Sequence, residues 1–201
     1  MLVSLLALLS STEGVLLAQS GAAQTSGAGM PLSKGSVELG GIAGTTAGVS
    51  WLRAHADRRL TLGAVDIGRI VTTQHAPGPL AGHFEFLLEF SPFLVIAQPG
   101  RTWGFTASPL HMRWNFAGRS NVRPFAEASG GIVYSGVPVP ARATTQLNFI
   151  DQAGFGLRFG ASPRRAWLAG YRFQHISNAG RMKPNPGANF NFFYGGVTFL
   201  R

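Results

Sequence analysis

The chain has 201 residues and carries 17 Lys plus Arg against 8 Asp plus Glu, a formal net charge of +9. Only 12% of its residues are charged while 45% are hydrophobic, with 27 glycines, 15 phenylalanines and no cysteine. Lack of cysteine excludes a disulfide scaffold and a thiolate metal site. The apolar content excludes a disordered basic tail. The glycine content excludes a helical bundle, because each interior helical glycine costs about 1 kcal/mol. Lys34 and Lys183 are the only lysines, so 15 of the 17 basic residues are Arg, scattered along the chain. That scatter argues against a nucleic-acid patch. One all-β domain rich in glycine and aromatics is expected, with an anionic partner for its basic excess.

Met1 to Ser10, MLVSLLALLS, form an apolar run as long as a signal-peptide h-region, roughly 7–15 residues. Val15-Leu16-Leu17-Ala18 extends it, and Ala18 or Ala23 suits the small-residue cleavage rule. No Lys or Arg precedes Lys34, so the basic n-region is missing. The reading is a signal peptide over 1–18, cleaved as late as 23, a flexible leader over 19–35 and one folded unit over 36–201.

No later segment has the roughly 18 uninterrupted apolar residues of a transmembrane helix. Stretches with a period of two recur instead, the signature of strands. In 83–91, Phe84, Phe86, Leu88 and Phe90 share one face, opposite His83, Glu85, Leu87, Glu89 and Ser91. In 149–159, Phe149, Ala153, Phe155, Leu157 and Phe159 oppose Gln152, Gly154, Gly156 and Arg158. In 167–177, Trp167, Ala169, Tyr171 and Phe173 oppose Gly170, Arg172 and Gln174.

The sense of the alternation decides the solvent. Charges interleave with glycine on one face, while aromatics crowd the other. A narrow polar interior and a lipid-facing aromatic wall fit that arrangement. Breaks at Gly, Pro, Ser and Asn place eight strands near 36–53, 58–73, 82–97, 102–117, 122–136, 147–161, 165–178 and 188–200. Short turns at Ala117–Asn121 and Ala161–Arg164 alternate with long segments at Gly136–Gln146 and Ala179–Gly187. An eight-stranded antiparallel transmembrane β-barrel is expected in the bacterial outer membrane, with the long loops outside. Eight strands leave an interior just filled by side chains. Function is therefore expected on the outer wall or in the loops.

The seventh segment carries the chemistry. His175 and Ser177 are two apart on a strand, so both project from the face of Trp167, Tyr171 and Phe173, toward lipid. An imidazole beside a hydroxyl can act as general base and nucleophile. Two polar residues tolerated at the membrane interface are the plainer explanation.

Tyr171 to Gly187, YRFQHISNAGRMKPNPG, resembles the PagL-type lipid A 3-O-deacylases, outer-membrane esterases also called acyloxyacyl hydrolases, with support from Val122–Gly131 and Asn148–Phe159. The resemblance covers about half the chain. It implies Ser177 as nucleophile, His175 as base and Asn178 near the oxyanion. The implied reaction is hydrolysis of the ester-linked 3-hydroxyacyl chain at the 3-position of lipid A. Arg142, Arg181 and Lys183 fall in the long outer loops, where lipid A phosphates lie. Expected partners are lipid A and outer-membrane lipids, without nucleic acid, cofactor or metal, and a homodimer is left open. A non-enzymatic structural or adhesive barrel, or an inactive member of the family, is the alternative.

The chain departs from the family at the third catalytic position. The family places a Glu twelve residues after the Ser, and Asn189 stands there in this chain; no Asp or Glu follows Asp151. An amide can hold the imidazole tautomer, as in Cys-His-Asn sites, without the anion's stabilisation of the imidazolium. A short hairpin around Ser162-Pro163 places Asp151 opposite His175 or one diagonal step away, making it a second candidate orienter. His55, His75, His83 and His111 lack ligand spacing and read as loop or lumen residues. Arg123 and Glu127 share a face and read as part of an interior polar network.

Overall fold

The computed structural model describes residues 31–49, 59–98, 100–118, 121–139, 145–183 and 185–201. Eight strands follow one another: β1 (Val37–Gly48), β2 (Arg59–Ile70), β3 (Gly82–Gln98), β4 (Gly100–Phe116), β5 (Val122–Ser135), β6 (Leu147–Ser162), β7 (Arg165–Ser177) and β8 (Ala188–Leu200). Each pairs antiparallel with its sequence neighbour, and β1 closes on β8 through Glu38 opposite Leu200 to Gly48 opposite Phe190. The expected eight-stranded antiparallel barrel is the observed one. Closure removes the open strand edges, and the ladders pair backbone polar groups around the wall, with register shifts in four of them. The expected signal peptide lies outside the described residues. Of the expected leader, Leu32 is buried with Ile70, Ala166 and Leu200 at the end of the barrel where β1 begins.

The connections alternate less regularly than expected. One residue separates β3 from β4 at the end that carries the long loops, and Gln98 pairs directly with Gly100. At the opposite end, 71–81 joins β2 to β3 and contains a 3-10 turn, Gly78–Leu80. The cause is length. β3 and β4 have 17 residues each, so their ladder continues past its neighbours and shortens the connection.

The wall sorts side chains as the period of two requires. Phe86, Leu88, Phe90, Phe93, Trp103, Phe155, Trp167 and Phe193 are exposed on the outside. These are the residues a bilayer would cover. No described helix is long and apolar enough to cross a membrane.

The interior has two halves. Toward the outer loops it is aliphatic and aromatic, with Leu60, Leu94, Ile96, Val133, Ile150, Ile176, Phe190 and Phe192 buried together. Toward the other end lie Glu38, Asp66, Glu85, Glu89, His111, Arg113, Glu127, Arg158 and Arg172, all buried. The charged residues of the expected polar interior thus gather toward one end, while aliphatic and aromatic side chains dominate the other. Arg172 donates to Glu89 at 2.7 and 2.9 Å and to Glu127 at 2.7 Å, while Arg113 bridges Glu38 and Glu127. Glu127 joins the expected network, and Arg123 pairs in register with Arg158 on that same inner face. Glycine makes the room. A Cβ at Gly170 would lie 2.3 Å from Tyr194 Cζ, and one at Gly156 would lie 2.4 Å from Phe125 Cζ.

Candidate active site

β7 ends at Ser177, and its outward residues are Trp167, Ala169, Tyr171, Phe173, His175 and Ser177. Cross-strand partners share a face. His175 lies between Asp151 on β6 and Asn189 on β8, both directly opposite it in register. Ser177 is opposite Phe149. The short β6–β7 hairpin dictates the first pairing, and the ladder between β7 and β8 brings the second.

His175 Nδ1 lies 2.6 Å from Asn189 Oδ1. An amide oxygen only accepts, so Nδ1 carries the proton and Nε2 keeps its lone pair. Such a tautomer suits an imidazole that must take a proton from a hydroxyl. Asn189 is fully buried and His175 half-buried, so the bond is shielded from water. Asp151 points outward and is exposed; the imidazole's hydrogen bond goes to Asn189 instead.

The loop after Ser177 is built on a tight turn. The Arg181 N–H bonds the Asn178 carbonyl at 3.2 Å, and the two central residues, Ala179 and Gly180, have φ of 53° and 77°. Positive φ at both central positions is the signature of a type I′ turn. Asn178 is buried, and its side chain is tied into the loop: Oδ1 accepts from Gly180 N–H at 2.9 Å and Nδ2 donates to the Met182 carbonyl at 3.0 Å. The Asn178 N–H donates to Asn185 Oδ1 at 3.2 Å.

Gly187 closes the loop against the imidazole. Its φ is +67°, and a Cβ there would lie 2.8 Å from His175 Cε1 and 3.5 Å from Nε2. The sequence reading attached no role to Asn185 or Gly187. The Asn-Pro-Gly run was the available signal, since a glycine after proline marks a turn. Nothing local says that the turn returns onto a histidine twelve residues earlier.

Of the expected cations, Arg181 is exposed beside the site. It donates to the carbonyls of Asn178 and Leu147, and its guanidinium stands 4.9 Å over the ring of Phe149. Lys183 is exposed in the same loop. Arg142 lies outside the described residues. Below the site, Phe155, Tyr171 and Phe193 pack at centroid distances of 5.4 and 5.3 Å, and Tyr171 donates to Asn191 Oδ1 at 2.8 Å. A shallow apolar groove lined by Ala107, Leu110, Gly130, Gly131, Ile132 and Phe149 runs beside the strand that faces Ser177.

Several solved barrels are similar in fold. The outer membrane enzyme PagL is 18% identical, with 79% of this chain and 97% of that chain covered and a TM-score of 0.48. Neisserial surface protein A is 13% identical, with 82% and 95% covered and a TM-score of 0.49. The N-terminal β-barrel domain of Pseudomonas aeruginosa OprF is 15% identical, with 84% and 98% covered and a TM-score of 0.49. No curated protein matches the chain. Residues 45–198 match the family model described as Lipid A 3-O-deacylase (PagL), which is more than half of the sequence, and the chain belongs to that family.

Proposed function

We propose that this chain is an outer-membrane serine esterase that hydrolyses the ester-linked 3-hydroxyacyl chain at the 3-position of lipid A. The observation that carries the reading is the His175 Nδ1 to Asn189 Oδ1 bond of 2.6 Å on the lipid-facing wall, with Ser177 next on the same face. Family membership and the apolar outer belt support outer-membrane residence, and residues 1–18 are assigned as the export signal.

His175 Nε2 takes the proton of Ser177 Oγ as the oxygen attacks the ester carbonyl. Asn189 holds the imidazole through Nδ1. Collapse of the tetrahedral intermediate breaks the bond to the sugar oxygen, which leaves with the proton from Nε2. Water, deprotonated by the same nitrogen, then releases the acyl chain and restores Ser177. Asn178 serves the oxyanion through its backbone N–H, now held by Asn185, or through the second hydrogen of Nδ2. The groove at Gly130 and Gly131 accepts the acyl chain, and Arg181, Lys183 and Arg142 meet the phosphates. Asp151 is the reserve orienter, placed opposite His175.

Mass spectrometry of lipid A after incubation with the folded wild type and with Ser177→Ala tests the reading. The wild type removes one 3-hydroxyacyl chain and the variant removes none. A well-folded wild type that leaves lipid A intact makes the chain an inactive member or a structural barrel, the reading that the missing acid at position 189 favours.

A further inference from the structure

In the polar part of the interior, three side chains from adjacent strands converge: Asp66 on β2, Glu89 on β3 and His111 on β4. One ligand atom of each lies within 4.8 Å of the other two, and all three residues are buried. We propose that this cluster is a divalent transition-metal site, of the zinc class, inside the barrel.

The argument starts from the lone pairs. His111 Nε2 lies 3.1 Å from Glu127 Oε2. A carboxylate only accepts, so Nε2 carries the proton and Nδ1 is a bare lone pair. That lone pair has no hydrogen-bond partner, and 3.7 Å away is Glu89 Oε2, another acceptor. Asp66 hydrogen-bonds Glu89 through one carboxyl oxygen, and its Oδ1 is without a partner. The His111 lone pair and Asp66 Oδ1 thus lie unpartnered beside Glu89 in a buried site. A cation is what such a set lacks. The carboxylate on the far nitrogen of His111 is the arrangement that orients and strengthens histidine ligands of metals.

Spacing and charge agree. Two atoms bound to one ion at roughly 2.0–2.2 Å lie up to about 4 Å apart, so the His111 to Glu89 separation needs no rearrangement. One imidazole and two carboxylates suit zinc or its neighbours, with water or a second carboxylate oxygen completing the shell. Among the described residues five acids (Glu38, Asp66, Glu85, Glu89, Glu127) and three arginines (Arg113, Arg158, Arg172) are buried, 3 − 5 = −2 with His111 neutral, and half-buried Arg123 on the same inner face brings the sum to −1. A cation at the cluster offsets that negative sum. Buried charge without a counter-charge is strongly disfavoured. Glu89 also holds the Arg172 guanidinium, so its carboxylate bridges ion and cation. The ladder shifts between Leu87 and Glu89, a bulge of the kind that re-aims a side chain beside a site.

The test uses the full chain without an affinity tag, folded in detergent micelles. It carries His175→Ala, to exclude the outer-wall imidazole. After chelation and dialysis, the protein is incubated with zinc chloride and its metal content is measured. Close to one zinc per chain is expected, with a higher temperature for the unfolding band shift on gels. Asp66→Asn and His111→Gln should each lower bound zinc at least tenfold, while exposed His75→Ala should leave it unchanged. Should the two interior variants fail to fold, cobalt replaces zinc in the parent protein. A visible absorption band that one equivalent of zinc abolishes is then the supporting result. Folded parent protein with negligible zinc, or equal zinc with and without Asp66, overturns the proposal and assigns the balancing charge to protons.

Discussion

His175 Nδ1 stands 2.6 Å from Asn189 Oδ1, and the two residues are direct cross-strand partners on β7 and β8. A neutral amide oxygen, not a carboxylate, accepts from the histidine ring.

Supplying the charge should therefore raise turnover. Asn189→Glu is expected to increase kcat by about tenfold or more, within the range of positioned acid–base groups. Asn189→Ala should lower it by roughly 10²-fold, because the imidazole loses its tautomer and its orientation. Asp151→Asn should leave kcat essentially unchanged, since the Nδ1 bond goes to Asn189. Steady-state release of hydroxy fatty acid by the three variants decides. A larger loss at Asp151 than at Asn189 would transfer the orienting role.

Gly187→Ala should damage the site more than the fold. Its φ of +67° makes any side chain costly, by roughly 1–2 kcal/mol, and the new Cβ would meet His175 Cε1 at 2.8 Å. Displacing the imidazole by about 1 Å costs on the order of 10² in rate. The expected pattern is a large fall in kcat with a small change in unfolding temperature. Unchanged kcat would show that the ring tolerates the contact.

Arg181→Ala should act on binding. The guanidinium covers Phe149, the partner of Ser177, and ties the carbonyls of Asn178 and Leu147. Losing it and the proposed phosphate contact should raise KM roughly 5–10-fold with little change in kcat. The same KM rise on dephosphorylated lipid A would leave the loop contacts as the sole cause.

Arg113→Met should weaken the barrel without touching the outer wall. Arg113 is fully buried, contacts Glu38 and Glu127, and stands 4.9 Å over Phe125. Removing one member of a buried ion network strands its carboxylates and costs about 3–5 kcal/mol. Denaturant unfolding in micelles should show this as a lower midpoint. An unchanged midpoint would mean that the remaining arginines rearrange to cover both acids.

Much of this architecture is legible in the sequence. Local alternation sorts Phe84, Phe86 and Phe90 from Glu85 and Glu89, because a pleated strand turns successive side chains to opposite faces whatever its neighbours are. The same rule put His175 and Ser177 on the lipid side, and the tight hairpin at Ser162-Pro163 placed Asp151 opposite His175. The β7–β8 pairing was not legible, since ten residues separate those strands and a long loop leaves the register open. Hence Asn189 and Asp151 could not be ranked from spacing, and Gly187 carried no assigned role.

By itself the sequence determined the strand count and the alternation of inner and outer faces, set by period-two sterics and short turns, while the resemblance to the deacylases supplied Ser177 and His175 as candidate nucleophile and base. Tertiary structure alone decided that Asn189 reaches His175, that aliphatic and aromatic side chains dominate the outer end of the interior, and that Asp66, Glu89 and His111 meet. These outcomes depend on closure of the barrel, on its stagger and on the bulge beside Glu89, which are properties of all eight strands together.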